Sequence, residues 1–310
     1  METRMENLFR ALGERNRLRM VLLLERGPLN VTELVSIMGI SQSNASHHLK
    51  LLLEAGAVTR SGRGNWAYYG IRREDPLVDS IVTEAFRHRV SLEGFQDDMT
   101  RLARCLSRRK ESSREFFNSL EPGQLEEIAR SVPDTACCRD FLTENMPEGA
   151  LAVDVGTGSG RMIPFLLSRH SRVLAVDGSR GMLDIALRNS SSAGLSSRVE
   201  FRLGEAEHLP VENEGADSVM MHMVLHHCGV PSRAVAEAAR VLRPGGVLLV
   251  VELAEHCDGR YRNNQGDLWP GFTGNTIREF MEEAGLKPAG TSLCGSESVL
   301  AAAGTKGEKE

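Results

Sequence analysis

Apolar residues recur at helical spacing over Arg15–Leu24, where Leu18, Val21 and Leu22 make a face that Leu23 and Leu24 widen, and over Val31–Met38, where Val31, Leu34, Val35 and Met38 do the same. Gly27-Pro28 and Gly39 end these segments, and Ser41 is placed to cap a third helix running to about Glu54, with Ala45, Leu49, Leu52 and Leu53 facing inward. Gly56–Arg60 and Asn65–Ile71 flank Ser61-Gly62-Arg63-Gly64, which predicts a β-hairpin with a basic tip. Leu77–Leu120 is long and charged and has few breakers; Leu77, Ile81, Phe86, Val90, Phe95, Met99, Leu102 and Leu106 form a stripe that predicts one or two helices. Pro122-Gly123 breaks that pattern. Beyond it short apolar runs such as Leu151–Val155, Arg172–Val176 and Val247–Val251 alternate with helical stretches, which predicts a doubly wound sheet with its ligand over the carboxyl ends of the strands.

The run Leu151–Val155 leads into Gly156-Thr157-Gly158-Ser159-Gly160, so a buried strand, a tight loop and a helix over Arg161–Ser168 are expected. Glycines let the backbone turn sharply and approach a ligand, and the helix start offers unpaired N–H groups. Dinucleotide sites use G-x-G-x-x-G/A, which would put a small residue at Arg161; here the spacing is D-x-G-x-G-x-G. That pattern resembles motif I of the class I S-adenosylmethionine-dependent methyltransferases, and further motifs follow in that family's order over roughly residues 115–303. Asp177 closes the next apolar run, Gly204–Pro210 is similar to G-D-A-x-x-L-P with Glu205 in the usual Asp position, and Ala216–His227 and Arg240–Gly246 match later motifs.

The resemblance implies that Gly156, Gly158 and Gly160 lie against S-adenosylmethionine or S-adenosylhomocysteine, that Asp154 holds the ammonium and that Asp177 accepts both ribose hydroxyls. Met182 would pack on adenine, with Glu205 and the backbone of Ala206 at its amine. His222, His226 and His227 would lie where the exit loop passes the methyl group; His226 or His227 could deprotonate an acceptor. Plainer roles stand beside these: Asp154 as a loop cap, Met182 as core and the two histidines as a structural element of the loop. Asp177 is the hardest to explain otherwise, since an ionised group at a strand end needs a partner. Leu268–Phe272 is a candidate wall or lid.

Composition sets the class. At 310 residues, 41% hydrophobic and 25% charged, the chain is long enough for two cored domains. No run approaches the ~18–20 apolar residues of a membrane span, and Met1–Arg10 lacks a signal-peptide layout, so a cytoplasmic protein is expected. The net charge of −5 divides into +3 over residues 1–75 and −8 over the rest, which places the basic character at the front. Six cysteines, at 105, 137, 138, 228, 257 and 294, show no C-x-x-C and no zinc spacing; reduced thiols and no metal site are expected. A thiophilic or arsenic site from Cys137, Cys138, Cys228 and Cys257 is the minor alternative.

In the third helix Ser43, Ser46, His47 and Lys50 share a second face, with Gln42 and Asn44 at its start. Short hydroxyls, amides, an imidazole and a lysine suit base edges and phosphates in a major groove; a merely solvated polar face is the alternative. The hairpin directly after it makes a winged helix, and Arg63 at its tip is placed for a phosphate or the minor groove. Ser41–Lys50 with Leu53–Val58 resembles the ArsR/SmtB regulators over about residues 5–75, which implies DNA binding. Unlike the classical metal sensors of that family, Val31–Met38 carries no cysteine pair, so the signal must enter elsewhere.

The expected organisation is a winged helix over 1–75, a helical connector and dimer contact over 76–120, a Rossmann-like methyltransferase domain over 121–304 and a disordered tail over 305–310. Two functions fit. One is a homodimeric transcriptional regulator of an operator, with the adenosyl compound as effector, in an architecture that resembles the S-adenosylhomocysteine-responsive SahR repressors of methionine-cycle genes. The other is an active small-molecule methyltransferase with an autoregulatory DNA-binding domain. Arsenic methylation is a third option that the cysteine spacing argues against.

Overall fold

The structure is a computed structural model that describes residues 3–61, 67–72, 75–89, 92–131, 135–254, 268–269, 271–294 and 298–308. It divides into two compact units between Arg108 and Arg109. The first contains α1 (Arg4–Leu12), α2 (Arg15–Leu24), β1 (Leu29–Asn30), α3 (Val31–Met38), α4 (Gln42–Glu54), β2 (Val58–Ser61), β3 (Tyr68–Ile71), α5 (Pro76–Arg87) and the first half of α6 (Phe95–Ser119). Gly39, in the left-handed region at φ +67°, ends α3, and the Ser41 side chain caps α4 by accepting from the Asn44 N–H, so two short helices meet at a tight turn. The strands pair antiparallel in the order β1-β3-β2, with Arg60 opposite Tyr69.

Helix α1 escaped the sequence reading, although Leu8, Ala11 and Leu12 recur at helical spacing and are buried, and Thr3 and Glu6 form a capping box. The connector stripe is corrected more substantially. Phe95 and Leu102 are buried in the first unit's own core with Val78 and Val82, and Leu77, Ile81, Phe86, Met99 and Leu106 pack against it. A small unit of four short helices and three short strands buries too little by itself, so α5 and the start of α6 cover it. The apolar side of the connector expected to meet a second subunit is thus largely spent within the chain.

A buried carboxylate fastens this cover. Asp98, with no exposed surface, accepts from Arg19 Nε at 2.6 Å and Nη2 at 2.7 Å, and from Arg101 Nη2 at 2.6 Å, while Arg101 Nε donates to the Ile37 carbonyl. Arg101 therefore belongs to the fold, whereas Arg104 and Arg108, further along α6, are exposed. Removing one partner of a buried ion pair leaves the other charge uncompensated, so Asp98→Ala is expected to cost about 3–5 kcal/mol in urea unfolding; a loss below ~1 kcal/mol would show that the pair is not buried in solution.

The second unit carries α7 (Pro122–Ser131), α8 (Arg139–Asn145), β4 (Gly149–Val155), α9 (Ile163–Leu167), β5 (His170–Asp177), α10 (Arg180–Ser192), β6 (Val199–Leu203), β7 (Ala216–His222), α11 (Pro231–Val241), β8 (Leu242–Leu253), α12 (Gly274–Glu283), β9 (Leu286–Cys294) and β10 (Val299–Lys306). Its sheet runs β6-β5-β4-β7-β8-β10-β9, parallel from β6 to β8, with β10 antiparallel to both its neighbours. The strand order reverses between β4 and β7, the switch point outside whose carboxyl strand ends sheets of this kind bind ligands.

Two expectations change here. The helix expected over Arg161–Ser168 shortens to Ile163–Leu167, because residues 157–163 close tight turns first. Thr305 and Lys306 belong to β10, not to a disordered tail: Thr305 pairs with Val247, and Lys306 Nζ donates to the carbonyls of Ala239 and Leu242. Their polar side chains concealed a strand whose buried part, Val299–Ala303, precedes them.

Candidate functional site

Helix α4 sorts its residues into two sets. Gln42, Ser43, Asn44, Ser46, His47 and Lys50 are all exposed, while Ala45, His48, Leu49 and Leu52 are buried and Leu53 is only half-buried. Of the adjacent histidines, His47 faces solvent and His48 turns inward, its Nδ1 at 3.5 Å from Glu14; burial pushes the His48 pKa down. Lys50 reaches Glu54 at 3.8 Å along the helix, an exposed pairing that a phosphate would readily displace. Arg63 lies outside the described residues.

The glycine loop follows β4, and all three of its glycines have positive φ: +65° at Gly156, +53° at Gly158 and +81° at Gly160. They do different jobs. A Cβ on Gly156 would sit 2.3 Å from Val224 Cγ2, and one on Gly160 would meet Ile163 Cδ1 at 3.0 Å and Ala186 Cβ at 3.3 Å. Only at Gly158 is that direction open. On the side-chain side, then, Gly156 and Gly160 serve close packing within the protein rather than room for a ligand.

Asp154 is buried, and its Oδ2 accepts from Thr157 Oγ1 at 2.6 Å; burial raises its pKa to about 7. Asp177, at the end of β5, accepts from the Gly158 N–H through Oδ2 and from the Ser179 N–H through Oδ1, each at 2.8 Å. Those two bonds supply the partners that the strand-end carboxylate needed, and each oxygen keeps a further lone pair. Burial raises the Asp177 pKa, the Ser179 and Gly158 N–H groups oppose that rise, and the charge of Glu205 adds to it. Asp177 in turn pushes Asp154 up. Asp177 thus couples electrostatically to both Asp154 and Glu205, beside an open glycine.

Other candidates divide. Met182 is buried in an apolar cluster with Leu125 and Ile185, which is the plain core role, and Ala206 is half-buried against the main core. His222 is buried, with Nε2 at 3.0 Å from Thr135 Oγ1; burial lowers its pKa to about 4. His226 and His227 have ring centroids 4.0 Å apart but different further partners. His226 Nδ1 lies 2.7 Å from Glu252 Oε2, both groups buried, whereas the His227 ring meets Phe117 edge-on at 5.1 Å. Glu252 went unremarked in the sequence, although a carboxylate inside Val247–Leu253 is a signal that could have found it. Trp269 is buried and donates from Nε1 to the Cys228 carbonyl, and the N–H groups of Leu268 and Trp269 reach the His226 carbonyl; this wall packs on the exit loop, with Pro270 outside the described residues.

One pair of cysteines overturns the expectation of reduced thiols. Cys137 and Cys294 are disulfide-bonded, with Cα atoms 5.8 Å apart, and the Cys138 sulfur lies 2.8 Å from that of Cys294. Of the alternative grouping, Cys228 is not in this cluster among the described residues, and Cys257 lies outside them. Cys137 and Cys138 converge instead on Cys294, which tertiary structure brings across 157 residues.

Residues 14–60 match the family described as bacterial regulatory protein, arsR family. The arsenical resistance operon repressor of Bacillus subtilis is 36% identical over 80 residues, which are 26% of this chain and 74% of that protein. The chain belongs to the arsR family. In this arsR-family chain a second match, to a methyltransferase domain, covers residues 153–250, so a winged helix-turn-helix is fused to a Rossmann-like methyltransferase fold. On that side the malonyl-[acyl-carrier protein] O-methyltransferase of Yersinia pestis is 31% identical over 107 residues, 34% of this chain and 38% of that one. The chain spans 20% to 38% of the length of the first curated relatives that it matches. An S-adenosylmethionine-dependent methyltransferase from Aquifex aeolicus is similar over 60% of this chain and 99% of that one, at 19% identity and a TM-score of 0.49. The arsR-family unit holds no cysteine in residues 1–75, so its thiol chemistry lies wholly in the rest of the chain.

Proposed function

We propose that this chain is a DNA-binding transcriptional regulator whose methyltransferase-like domain binds S-adenosylmethionine or S-adenosylhomocysteine as its effector. The observation that carries the ligand reading is the pair of buried carboxyls Asp154 and Asp177, both raised in pKa by burial first and by a neighbouring carboxylate second, beside the open face of Gly158. A ligand with an ammonium group and vicinal hydroxyls fits: the cation offsets the cost of an ionised Asp154 in its buried site, and Asp177, already oriented by two backbone N–H groups, offers one lone pair to each hydroxyl. Met182 then acts from behind as core support, and Glu205 with the Ala206 backbone would face a base amine.

The DNA reading rests on α4, where six polar side chains stand exposed on a helix whose other face is buried. The amides, hydroxyls and His47 near its start read base edges, and Lys50 contacts phosphate. A second copy of the chain would present a second α4 to an operator half-site. The effector would act by binding the DNA-competent and incompetent states unequally. Among the described residues no helix is long and apolar enough to cross a membrane.

Calorimetry with both adenosyl compounds, followed by gel shift on the DNA upstream of the coding sequence, tests the reading. His47→Ala is expected to cost about 1–3 kcal/mol and to relax specificity, while Lys50→Ala weakens all duplexes alike and lowers the salt slope by about 1. No preference for any duplex at moderate salt would end the proposal.

One observation favours a working methyltransferase as the second reading. The Glu252 carboxylate holds the Nδ1 side of His226 and selects the tautomer whose Nε2 is basic, the arrangement of an oriented general base. The sulfonium carries its own activation when bound, so alignment of an acceptor is the protein's main task. Steady turnover of any metabolite that His226→Gln abolishes would establish it.

A further inference from the structure

His48 stands on α4 between the exposed His47 and the buried Leu49, and only 8% of its own surface is exposed. Its Nδ1 is buried and has no hydrogen-bond partner among the described residues, although the Glu14 carboxylate is 3.5 Å away. A buried polar atom left in that state calls for a reason. Glu14 is already engaged as the cap of α2: its Oε1 accepts from the Asn16 N–H at 3.1 Å and its Oε2 from the Arg17 N–H at 3.0 Å. Burial would raise the Glu14 pKa, but those two N–H groups, with the charges of His48 and Arg17, hold it below its usual range. The carboxylate that could neutralise a charged His48 is therefore committed to another task.

A neutral imidazole tolerates this place, whereas an imidazolium is costly there. Burial is the largest influence on His48 and disfavours its charged form; the Glu14 charge favours that form, and the charges of Arg17 and His47 oppose it. Helices α1 and α3 and strand β2 also pack on α4, and among the described residues they bring no charge that acts on the ring. We propose that the proton is a second effector of this regulator: protonation of His48 unseats α4 and releases the operator. The inference rests on the DNA-binding reading given above.

An imidazolium at this position can relieve its cost in two ways. It can turn toward water, which rotates α4 and carries Ser43, Ser46, His47 and Lys50 with it. Or it can draw Glu14 from its cap, which frees the Asn16 and Arg17 N–H groups at the start of α2. Either change alters how α2 and α4 meet, and the exposed face of α4 moves with them. The sign follows from the lowered His48 pKa: the seated form loses stability as pH falls below about 6.5, the ordinary histidine value. Added positive charge by itself strengthens binding to phosphates, so release by acid is the opposite of the general electrostatic trend.

The test uses the full chain and the DNA upstream of the coding sequence, with affinity read by fluorescence anisotropy at fixed ionic strength from about pH 8 down to about pH 5.5. Wild type is compared with His48→Gln, which keeps a polar side chain and removes the titrating group. The two are expected to bind alike at the alkaline end. On acidification the wild type should lose affinity relative to the variant, approaching about tenfold per pH unit once the His48 pKa is passed. Glu14→Gln takes away the charge that favours the imidazolium, so the release midpoint should move to lower pH, a shift that a purely structural contact would not produce. Because replacement of a buried residue can impair folding, the His48 ring Cε1–H resonance of the unaltered protein is followed by NMR as well. It should titrate below the ordinary histidine value without DNA, and lower still with the operator bound. Parallel affinity curves in wild type and His48→Gln, or a His48 that titrates at or above the ordinary value, would overturn the proposal. With an operator bound at the alkaline end, either result leaves the regulatory reading standing, whereas the lack of any preferred duplex there removes both.

Discussion

Asp177→Ala is expected to weaken binding of the adenosyl ligand by about a hundredfold or more, with operator affinity unchanged. Two hydrogen bonds to a charged acceptor are lost, at about 1.5–3 kcal/mol each. The Gly158 and Ser179 N–H groups also lose the acceptor that shapes the loop. Asp177→Asn separates the two effects: it keeps one acceptor oxygen for the backbone but cannot serve two hydroxyls, so it should sit between alanine and wild type. Calorimetry measures the series, and full ligand affinity in the alanine variant would mean that the pocket lies elsewhere.

Ligand affinity is also expected to climb with pH. Burial holds the Asp154 pKa near 7, so below that the free protein carries a proton that a cationic ligand must expel. Affinity should fall about tenfold per pH unit below 7 and level off above it. The same shift acts on stability with a definite sign. A carboxyl whose folded pKa exceeds its unfolded value is no burden at low pH, and destabilises progressively as pH rises from about 4 to 7. Three pKa units correspond to about 4 kcal/mol, so the ligand-free protein should be weakest, and ligand should raise Tm most, above pH 7. His222, with a pKa near 4, stays neutral across the binding window and contributes nothing to the slope. Asp177 is raised in the same direction and coupled to Asp154, so Asp154→Asn should leave a shallower slope rather than a flat line. Identical slopes in the two proteins would remove Asp154 from the site.

Both experiments follow from residues that the sequence already displayed, but the reasons for those residues moved. Gly156, a ligand candidate, also has to clear Val224, and Met182, a candidate for packing on a base, sits in a cluster with Leu125 and Ile185. Local spacing reveals that a glycine or a methionine is required, not which neighbour requires it. The connector stripe is the same case: its periodicity showed an apolar face, and only the packed core showed that the face is used within the chain.

By itself the sequence determined the elements and their kinds. Period and capping placed α2, α3 and α4 at their observed limits, and the alternation of runs after Pro122 implied a doubly wound sheet, because helix and strand periods are local properties of the chain. Tertiary structure alone decided what depends on distant partners: Asp98 beneath Arg19, Glu252 on His226, and Cys294 beside Cys137 and Cys138. Each of those pairings joins residues at least 26 positions apart, so its geometry is set by how sheets and helices pack and leaves no spacing to read.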